Sequence, residues 1–432
     1  MQTTFTPEQL EDPQTRTADA ILRSCVHCGF CTATCPTYLT LGDELDSPRG
    51  RIYLIKEMLE EGGPAPEPVV EHLDRCLSCL SCMTTCPSGV DYMHLIDYAR
   101  AHVEETYQRP LFDRLYRAFL GAVLPRPTLF RLTLRMAALA RPFKRLFPAL
   151  LRPAFDLAPK NLPAPSMADR PGVFPAEGAR TKRVVLLSGC AQPAIEPSIN
   201  AATIRLLNRL GVEVVVAKGA GCCGALNHHL GQHGAFNQAA QRNITAWLAE
   251  TETDGLDAII VNASGCGTVI KDYGFIFRND PQWAERAQTV SALTLDISQF
   301  LTGFEIEPVR QTGQRVAYHS ACSMQHGQRI TAPPKQLLAA AGFDVREIPE
   351  GHLCCGSAGT YNLMQPAIAG TLRERKLANI VATQPQAVAT GNIGCITQLR
   401  AGATVPVLHT VELLDWVSGG PTPPALENAL DF

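Results

Sequence analysis

The sequence predicts a multidomain α+β protein. A helical N-terminal domain covers residues 15–108, a basic helical segment and linker covers 109–180, and two copies of one α/β domain cover 181–305 and 312–420. Three observations carry that prediction. Near the N-terminus one cysteine spacing occurs twice, 51 residues apart, with helical patterns between and after the two copies. Eight further cysteines recur as two sets of four across the C-terminal half. Each of those sets stands at the ends of short β-rich runs that alternate with helical stretches.

In the first domain Cys25, Cys28, Cys31 and Cys35, followed by Pro36, form C-x2-C-x2-C-x3-C-P. Cys76, Cys79, Cys82 and Cys86, followed by Pro87, repeat it without a change of spacing. Three thiolates so spaced can wrap one face of an iron-sulfur cube, and in two-cluster ferredoxins of this pattern the fourth cysteine ligates the other cluster. The expected sets are Cys25, Cys28 and Cys31 with Cys86, and Cys76, Cys79 and Cys82 with Cys35. Two [4Fe-4S] clusters would then lie close together and carry single electrons. A zinc site takes four ligands, usually as two separated pairs, and would not require a third cysteine in phase and a terminal Cys-Pro twice over.

Helices frame these motifs, which predicts a helical ferredoxin-type domain. Over residues 47–60, Ser47 is the expected N-cap and Pro48 the first helical residue, with Ile52, Ile55 and Leu59 on the apolar face. Residues 92–107 repeat the pattern with Leu95, Ile96 and Ala99 inward. Arg49 and Arg51 could soften a cluster's negative charge, but the expectation is solvated surface arginines, and His27 is expected to be loop rather than ligand.

Residues 109–152 hold Arg109, Arg114, Arg117, Arg126, Arg131, Arg135, Arg141, Lys144, Arg145 and Arg152 against a single acid, Asp113. Leu and Phe fill the gaps at helical spacing, and prolines at 125, 127, 142 and 148 cut the stretch into short amphipathic helices. Such helices can lie on an anionic membrane or dock a partner subunit, or they can pack on the protein's own domains with solvated arginines. The Pro- and Ala-rich residues 153–180 read as a linker.

The C-terminal half is a duplication. Cys190, Cys222, Cys223 and Cys266 are answered by Cys322, Cys354, Cys355 and Cys395, with offsets of 132 residues for the first three and 129 for the last. That period means a repeated domain rather than a solenoid. In each copy a strand (182–188, 315–319) leads towards the first cysteine, and a helix (200–210, 334–341) ends at Gly211 or Gly342. A second strand (212–217, 343–348) leads to the Cys-Cys pair and a third (258–262, 386–390) to the last cysteine. This alternation implies a parallel sheet, with ligands gathered at the carboxyl ends of its strands. Adjacent cysteines do not easily close a relaxed tetrahedron on one metal, but they can bridge or cap different irons of a larger cluster. Each set is therefore expected to be a second class of metal or redox site, a further iron-sulfur cluster being one form, with zinc, a redox disulfide or buried inert thiols as alternatives. His319, His352 and Asn262 flank the sets and could donate hydrogen bonds to sulfur or to a quinone, with a structural role as the simpler expectation for each.

Several function classes fall away. A net charge of −3 gives no basic excess for nucleic acid, so no nucleic-acid partner is expected. Sixteen cysteines in 432 residues fall into cluster-type groups rather than the disulfide framework of a short secreted domain. The first nineteen residues lack the apolar segment of a signal peptide, and no long apolar run suggests a membrane span, so a cytoplasmic location is expected. Gly219, Gly221 and Gly224 fit G-x-G-x-x-G, but the duplicate around Cys354 keeps the cysteines and loses the glycines, so the cysteines carry the chemistry. No flavin or nicotinamide site is legible, and the electron source is expected on another chain.

The two motifs C-V-H-C-G-F-C-T-A-T-C-P and C-L-S-C-L-S-C-M-T-T-C-P, the segment G-D-E-L-D-S-P-R-G-R-I-Y-L-I-K, the segment E-G-H-L-C-C-G-S-A-G-T-Y and the two Cys-Cys-Gly halves resemble, together, the iron-sulfur subunits of bacterial glycolate oxidases. Subunits of lactate-utilisation enzymes, of anaerobic glycerol-3-phosphate dehydrogenase and of heterodisulfide reductase are similar at the level of motifs. The resemblance implies an electron-transfer subunit of a glycolate dehydrogenase complex. FAD would sit on a partner subunit that oxidises glycolate to glyoxylate, and electrons would leave towards the quinone pool, with the complex peripheral on the inner face of the cell membrane. The substrate site would then lie on another chain, with no catalytic residue here. A lactate or glycerol-3-phosphate dehydrogenase subunit, or direct disulfide or quinone reduction at a Cys-Cys-Gly site, are the alternatives. Where heterodisulfide reductases add a cysteine three residues after the last, this chain has Val269 and Gln398.

Overall fold

The computed structural model describes residues 1–148, 151–159 and 161–427. Residues 149, 150 and 160, within the basic stretch and the linker of the sequence reading, lie outside the described residues.

No strand occurs among the described residues before Gly172. The helix Pro48–Glu61 starts as expected: Ser47 Oγ accepts from Gly50 N at 3.0 Å, and Ile52, Ile55, Met58 and Leu59 are buried. It packs on Glu67–Asp74 and on Tyr92–Thr106, whose Leu95, Ile96 and Ala99 are fully inside. Cys25, Cys76 and Cys82 join this core, so the cysteine loops are pinned to the helices. One expectation fails here. Arg51 is 1% exposed rather than solvated. Its place one turn before Ile55 puts it on the buried stripe of its own helix.

The C-terminal half contains two sheets. In the first, β1 (Gly172–Phe174), β2 (Lys182–Leu186), β3 (Val212–Val216), β4 (Ala258–Val261) and β5 (Thr294–Asp296) lie in the order β1-β3-β2-β4-β5. All neighbours are parallel except β1, which runs antiparallel along β3. The second has β6 (Arg315–Tyr318), β7 (Asp344–Glu347), β8 (Ala387–Thr390) and β9 (Val407–His409) in the order β7-β6-β8-β9, all parallel. Both faces of the first sheet are buried, Val184 and Leu186 on one side and Val185 and Leu187 on the other. That is why its strands read as unbroken apolar runs rather than as alternation.

The linker reading needs correction. Residues 152–157 form the helix Arg152–Leu157, and β1 adds a strand to the sheet edge. Three residues are too few to show a period, and β5 and β9 escape sequence reasoning for the same reason. Of the basic segment, Leu111–Val123 and Pro127–Ala140 are helices. One face of this pair packs inward: Arg109 and Arg117 both reach Asp74 at 2.7 Å, and Arg131 donates to the carbonyls of Pro193 and Ala194. The other face is apolar and exposed, from Leu111, Phe112, Leu115 and Phe119 to Leu139 and Leu146.

Candidate metal centres

The two ferredoxin-type loops are built alike. His27 and Gly29 in the first, Ser78 and Leu80 in the second, hold left-handed backbone at equivalent positions. Only one of the four is glycine, and for Leu80 this conformation is strained, as backbone at functional sites often is. The turns roll each loop around a cavity. Cys25, Cys28, Cys31 and Cys86 line the first, with Cys82 at its edge. Cys35, Cys76, Cys79 and Cys82 line the second. The spaces, including their solvent mouths, are about 430 Å³ and about 310 Å³. The fourth cysteine of each motif thus faces the other motif's cavity.

Electrostatics fit a cationic centre in each cavity. Burial, and then the neighbouring Cys25, pushes the Cys31 thiol up to about 11. Burial first and Cys79 second push Cys82 up as well. Burial thus holds these thiols in the protonated form, and a bound cation would supply the positive charge that ionised cysteine ligands need at this depth. Behind the second cavity, Arg51 donates to Thr37 Oγ1 (3.1 Å), Asp46 Oδ1 (3.1 Å) and the His72 carbonyl (2.7 Å), and its Nη1 is 4.0 Å from Cys35 Sγ. Sequence reasoning underrated this residue although its helical position marks it.

The duplicated sets are also brought together. At each Cys-Cys pair the next glycine is left-handed (Gly224 φ +86°, Gly356 φ +87°), and its N–H donates to the first cysteine's Sγ at 3.4 Å. A Cβ there would lie 2.7 Å from Phe236 or 2.6 Å from the Ala369 carbonyl, so the Cys-Cys-Gly sequence needs its glycine. The thiols perturb one another in one order in both repeats, Cys190 with Cys222, Cys222 with Cys223 and Cys223 with Cys266, then Cys322 with Cys354, Cys354 with Cys355 and Cys355 with Cys395. Cys322 and Cys354 Sγ are 3.3 Å apart. Hydrogen bonds from flanking thiols hold Cys222 and Cys354 well below the ordinary thiol range, and Cys355 brings Cys395 down to about 5. Their partners Cys190, Cys223, Cys322 and Cys355 are pushed well above that range by the same contacts, so each set is a tightly coupled group of four buried or half-buried sulfurs that could share one centre.

The flanking residues separate. Asn262 bonds Gln192, Asn200 and Thr203 and is structural. His352 offers its carbonyl to His326. His319 alone enters a cysteine set: one of its ring nitrogens and the Sγ atoms of Cys355 and Cys395 lie within 4.8 Å of one another. Lys376, 1% exposed, donates to the Glu350 carbonyl next to this set, a buried cation that no local pattern announced.

The second repeat also meets the N-terminal domain. Leu77, Cys354 and Tyr361 share one apolar cluster against which Cys79 and Cys322 pack. Tyr361 Oη donates to the Arg75 carbonyl (3.0 Å), and Thr84 Oγ1 bonds His326 Nδ1 (2.7 Å). The first repeat is fixed to the same domain through His–Asp contacts: His94 bridges Asp91 and Asp272, and His228 Nε2 lies 3.2 Å from Asp97 Oδ2.

A helical domain with two crossed cysteine loops, followed by a duplicated α/β unit with four cysteines per copy, defines an iron-sulfur protein with paired cysteine-rich domains. The family model "4Fe-4S dicluster domain" matches residues 21–90, and "Cysteine-rich domain" matches 184–271 and 316–400. The chain is 43% identical to the glycolate oxidase iron-sulfur subunit of Escherichia coli (strain K12), over 96% of this chain and 98% of that protein. It is 31% identical to the probable glycolate oxidase iron-sulfur subunit of Bacillus subtilis (strain 168), over 93% and 95%. Lactate utilization protein A of Macrococcus caseolyticus is 28% identical over 54% of this chain and 96% of its own length. A crystal structure of a hypothetical protein from Helicobacter pylori shares the fold, with a TM-score of 0.56 at 11% identity over 96% of this chain and 74% of that one. The chain belongs to the family of glycolate oxidase iron-sulfur subunits.

Proposed function

We propose that the chain is the electron-transfer subunit of a glycolate dehydrogenase complex, taking electrons from FAD on a partner subunit and passing them towards the quinone pool. The observation that carries this reading is the adjacency of the cysteine sets. Cys82 borders both N-terminal cavities, and Cys79 packs with Cys322 and Cys354 of the second repeat. The loops holding Cys266 and Cys395 then touch through Ser264 N and the Gly391 carbonyl (3.1 Å). Iron-sulfur clusters supply one-electron steps that split the two electrons of a hydride oxidation. Cys25, Cys28, Cys31 and Cys86 would hold one [4Fe-4S] cluster, and Cys35, Cys76, Cys79 and Cys82 the other. The duplicated sets would hold further clusters. Around them the protein keeps most of the cysteines out of water and places Arg51 beside Cys35.

The exposed apolar face of the helices Leu111–Val123 and Pro127–Ala140 supports seating on an anionic membrane surface, since Arg114, Arg126, Arg135 and Arg145 are exposed among its Leu and Phe residues. Among the described residues no helix is long and apolar enough to cross a membrane.

Anaerobic purification with iron and zinc analysis and EPR of the reduced protein tests the reading. Clearly more than about eight irons per chain, with interacting cubane signals and no zinc, is the expected result. Zinc in a 180–420 fragment, with no iron, would reduce the C-terminal half to an assembly module.

A further inference from the structure

Three residues before the first cysteine of each set the duplicated sites differ in chemistry, a contrast that bears on function only under the metal-centre reading above. Leu187 stands three residues before Cys190, and His319 three before Cys322. Their backbones are equivalent: Leu187 N donates to the Ile260 carbonyl (3.0 Å) and His319 N to the Ala389 carbonyl (2.8 Å), each on the next strand of its sheet. In the first repeat that position is filled by an apolar side chain packed in the core. In the second it is filled by an imidazole that is 1% exposed, whose Nε2 is buried without a hydrogen-bond partner among the described residues.

The ring has one hydrogen-bonding neighbour, the Cys395 thiol, while its Nε2 has no partner, a costly state for a buried polar atom. Leucine shows that the fold does not need a polar group here. The imidazole has thiols for neighbours, with one ring nitrogen and the Sγ atoms of Cys355 and Cys395 within 4.8 Å of one another. The backbone diverges at the same place. After Cys322 the chain makes a π-helical turn, Ser323–Gly327, where the first repeat has the short α-helix Ala191–Ile195. Such turns concentrate at functional sites.

We propose that His319 is a metal ligand of the centre in the second repeat, beside Cys355 and Cys395. The two duplicated sites then hold different centres, an all-sulfur one at Cys190, Cys222, Cys223 and Cys266 and a mixed nitrogen and sulfur one at Cys322, Cys354, Cys355 and Cys395. Imidazole is a neutral donor that suits iron as well as zinc. Clusters with histidine in place of cysteine have higher reduction potentials, so the centre packed nearest Cys79 is the more oxidising of the two.

The test uses the full chain, purified anaerobically with 15N-labelled histidine. Pulsed EPR of the signal that Cys395→Ser removes should show a nitrogen hyperfine coupling that changes with the label and is lost in His319→Leu. The labelled wild type decides the matter even where the variant does not fold. A second-repeat signal without nitrogen coupling overturns the assignment and leaves the relay standing. Only about eight irons per chain and no zinc would remove both the centre and the assignment. Zinc at this site would remove the relay reading of the second repeat. The zinc K-edge then decides on His319, for it if nitrogen is in the first shell and against it if the shell is all sulfur.

Discussion

Arg51 Nη2 and Asp46 Oδ1 form an ion pair at 3.1 Å with both side chains buried, and the same Asp46 carboxylate also receives Arg75 Nη1 and His72 Nδ1 at 3.0 Å. The network ties the helix Pro48–Glu61 to the helix Glu67–Asp74 and its C-cap, Arg75, immediately before Cys76. Arg51→Met leaves a buried carboxylate short of its main partner and should destabilise the N-terminal domain by about 3–5 kcal/mol. The same change removes a positive charge near Cys35, so the reduction potential of the second ferredoxin-type centre should fall. Chemical denaturation and a redox titration of the anaerobic protein read the two effects separately. An unchanged potential would mean that the guanidinium is purely structural.

Crossed ligation has its own signature. Because Cys86 lines the cavity of the first motif and Cys35 that of the second, Cys86→Ser should perturb the centre held by Cys25, Cys28 and Cys31. Cys35→Ser should perturb the one held by Cys76, Cys79 and Cys82. Each should lose up to about four irons. EPR and iron content of the pair, compared with Cys28→Ser and Cys79→Ser, decide it. Cys86→Ser spectra matching those of Cys79→Ser instead of Cys28→Ser would disprove the crossing.

His94 predicts a pH dependence. Burial works against its charge, but hydrogen bonds to Asp272 (2.9 Å) and Asp91 (2.5 Å) win and raise its pKa from 6.5 to about 9. Burial also raises Asp272, which offsets part of the gain. The folded-state pKa exceeds the unfolded one, so the stabilisation is complete below about pH 6.5 and is lost as pH rises through about 9. About 1–3 kcal/mol of interdomain stability is at stake. Protection factors in residues 92–106, corrected for the intrinsic rise of amide exchange with pH, should fall over that range in the wild type and stay nearly flat in His94→Gln.

The exposed helical face predicts lipid binding. Vesicles containing phosphatidylserine should retain the chain at low salt and release it at high salt, since each basic residue near such a surface contributes about 1 kcal/mol. Leu139→Asp with Leu146→Asp, and separately Arg114→Glu with Arg135→Glu, should each weaken retention at least tenfold without changing the iron content. Equal retention on neutral vesicles would speak against the charge argument. Failure to bind either kind would leave the face to a partner subunit.

The sequence made the cysteine chemistry legible because ligand spacing is local, and the duplication because its offsets repeat. Strands β2, β3, β4, β6 and β8 are readable from apolar runs next to those cysteines, and β7, with only Val345 apolar, from its place between Gly342 and the Cys-Cys pair. What escaped was tertiary. The three-residue strands β1, β5 and β9 gain their identity only from neighbours already in the sheet. His319 was visible as a flanking residue, but its likeness to Leu187 in backbone and unlikeness in chemistry appear only when both sheets are built. Arg51 was open to a stricter reading, since it shares a helical stripe with Ile55 and Met58.

The joint between the repeats has an evolutionary meaning. The helix Ser198–Arg209, which follows the first strand of the 181–305 copy's cysteine set, packs on Thr410–Val417 at the end of the other copy. Ile297–Leu301, at the end of the former, packs on Pro333–Ala340 near the start of the latter. Start against end, twice over, is the self-complementary contact of a two-fold dimer. An ancestor with one such domain would have paired with itself. Once joined in one chain, the copies are free to differ, and they carry leucine in one and histidine in the other at the same place.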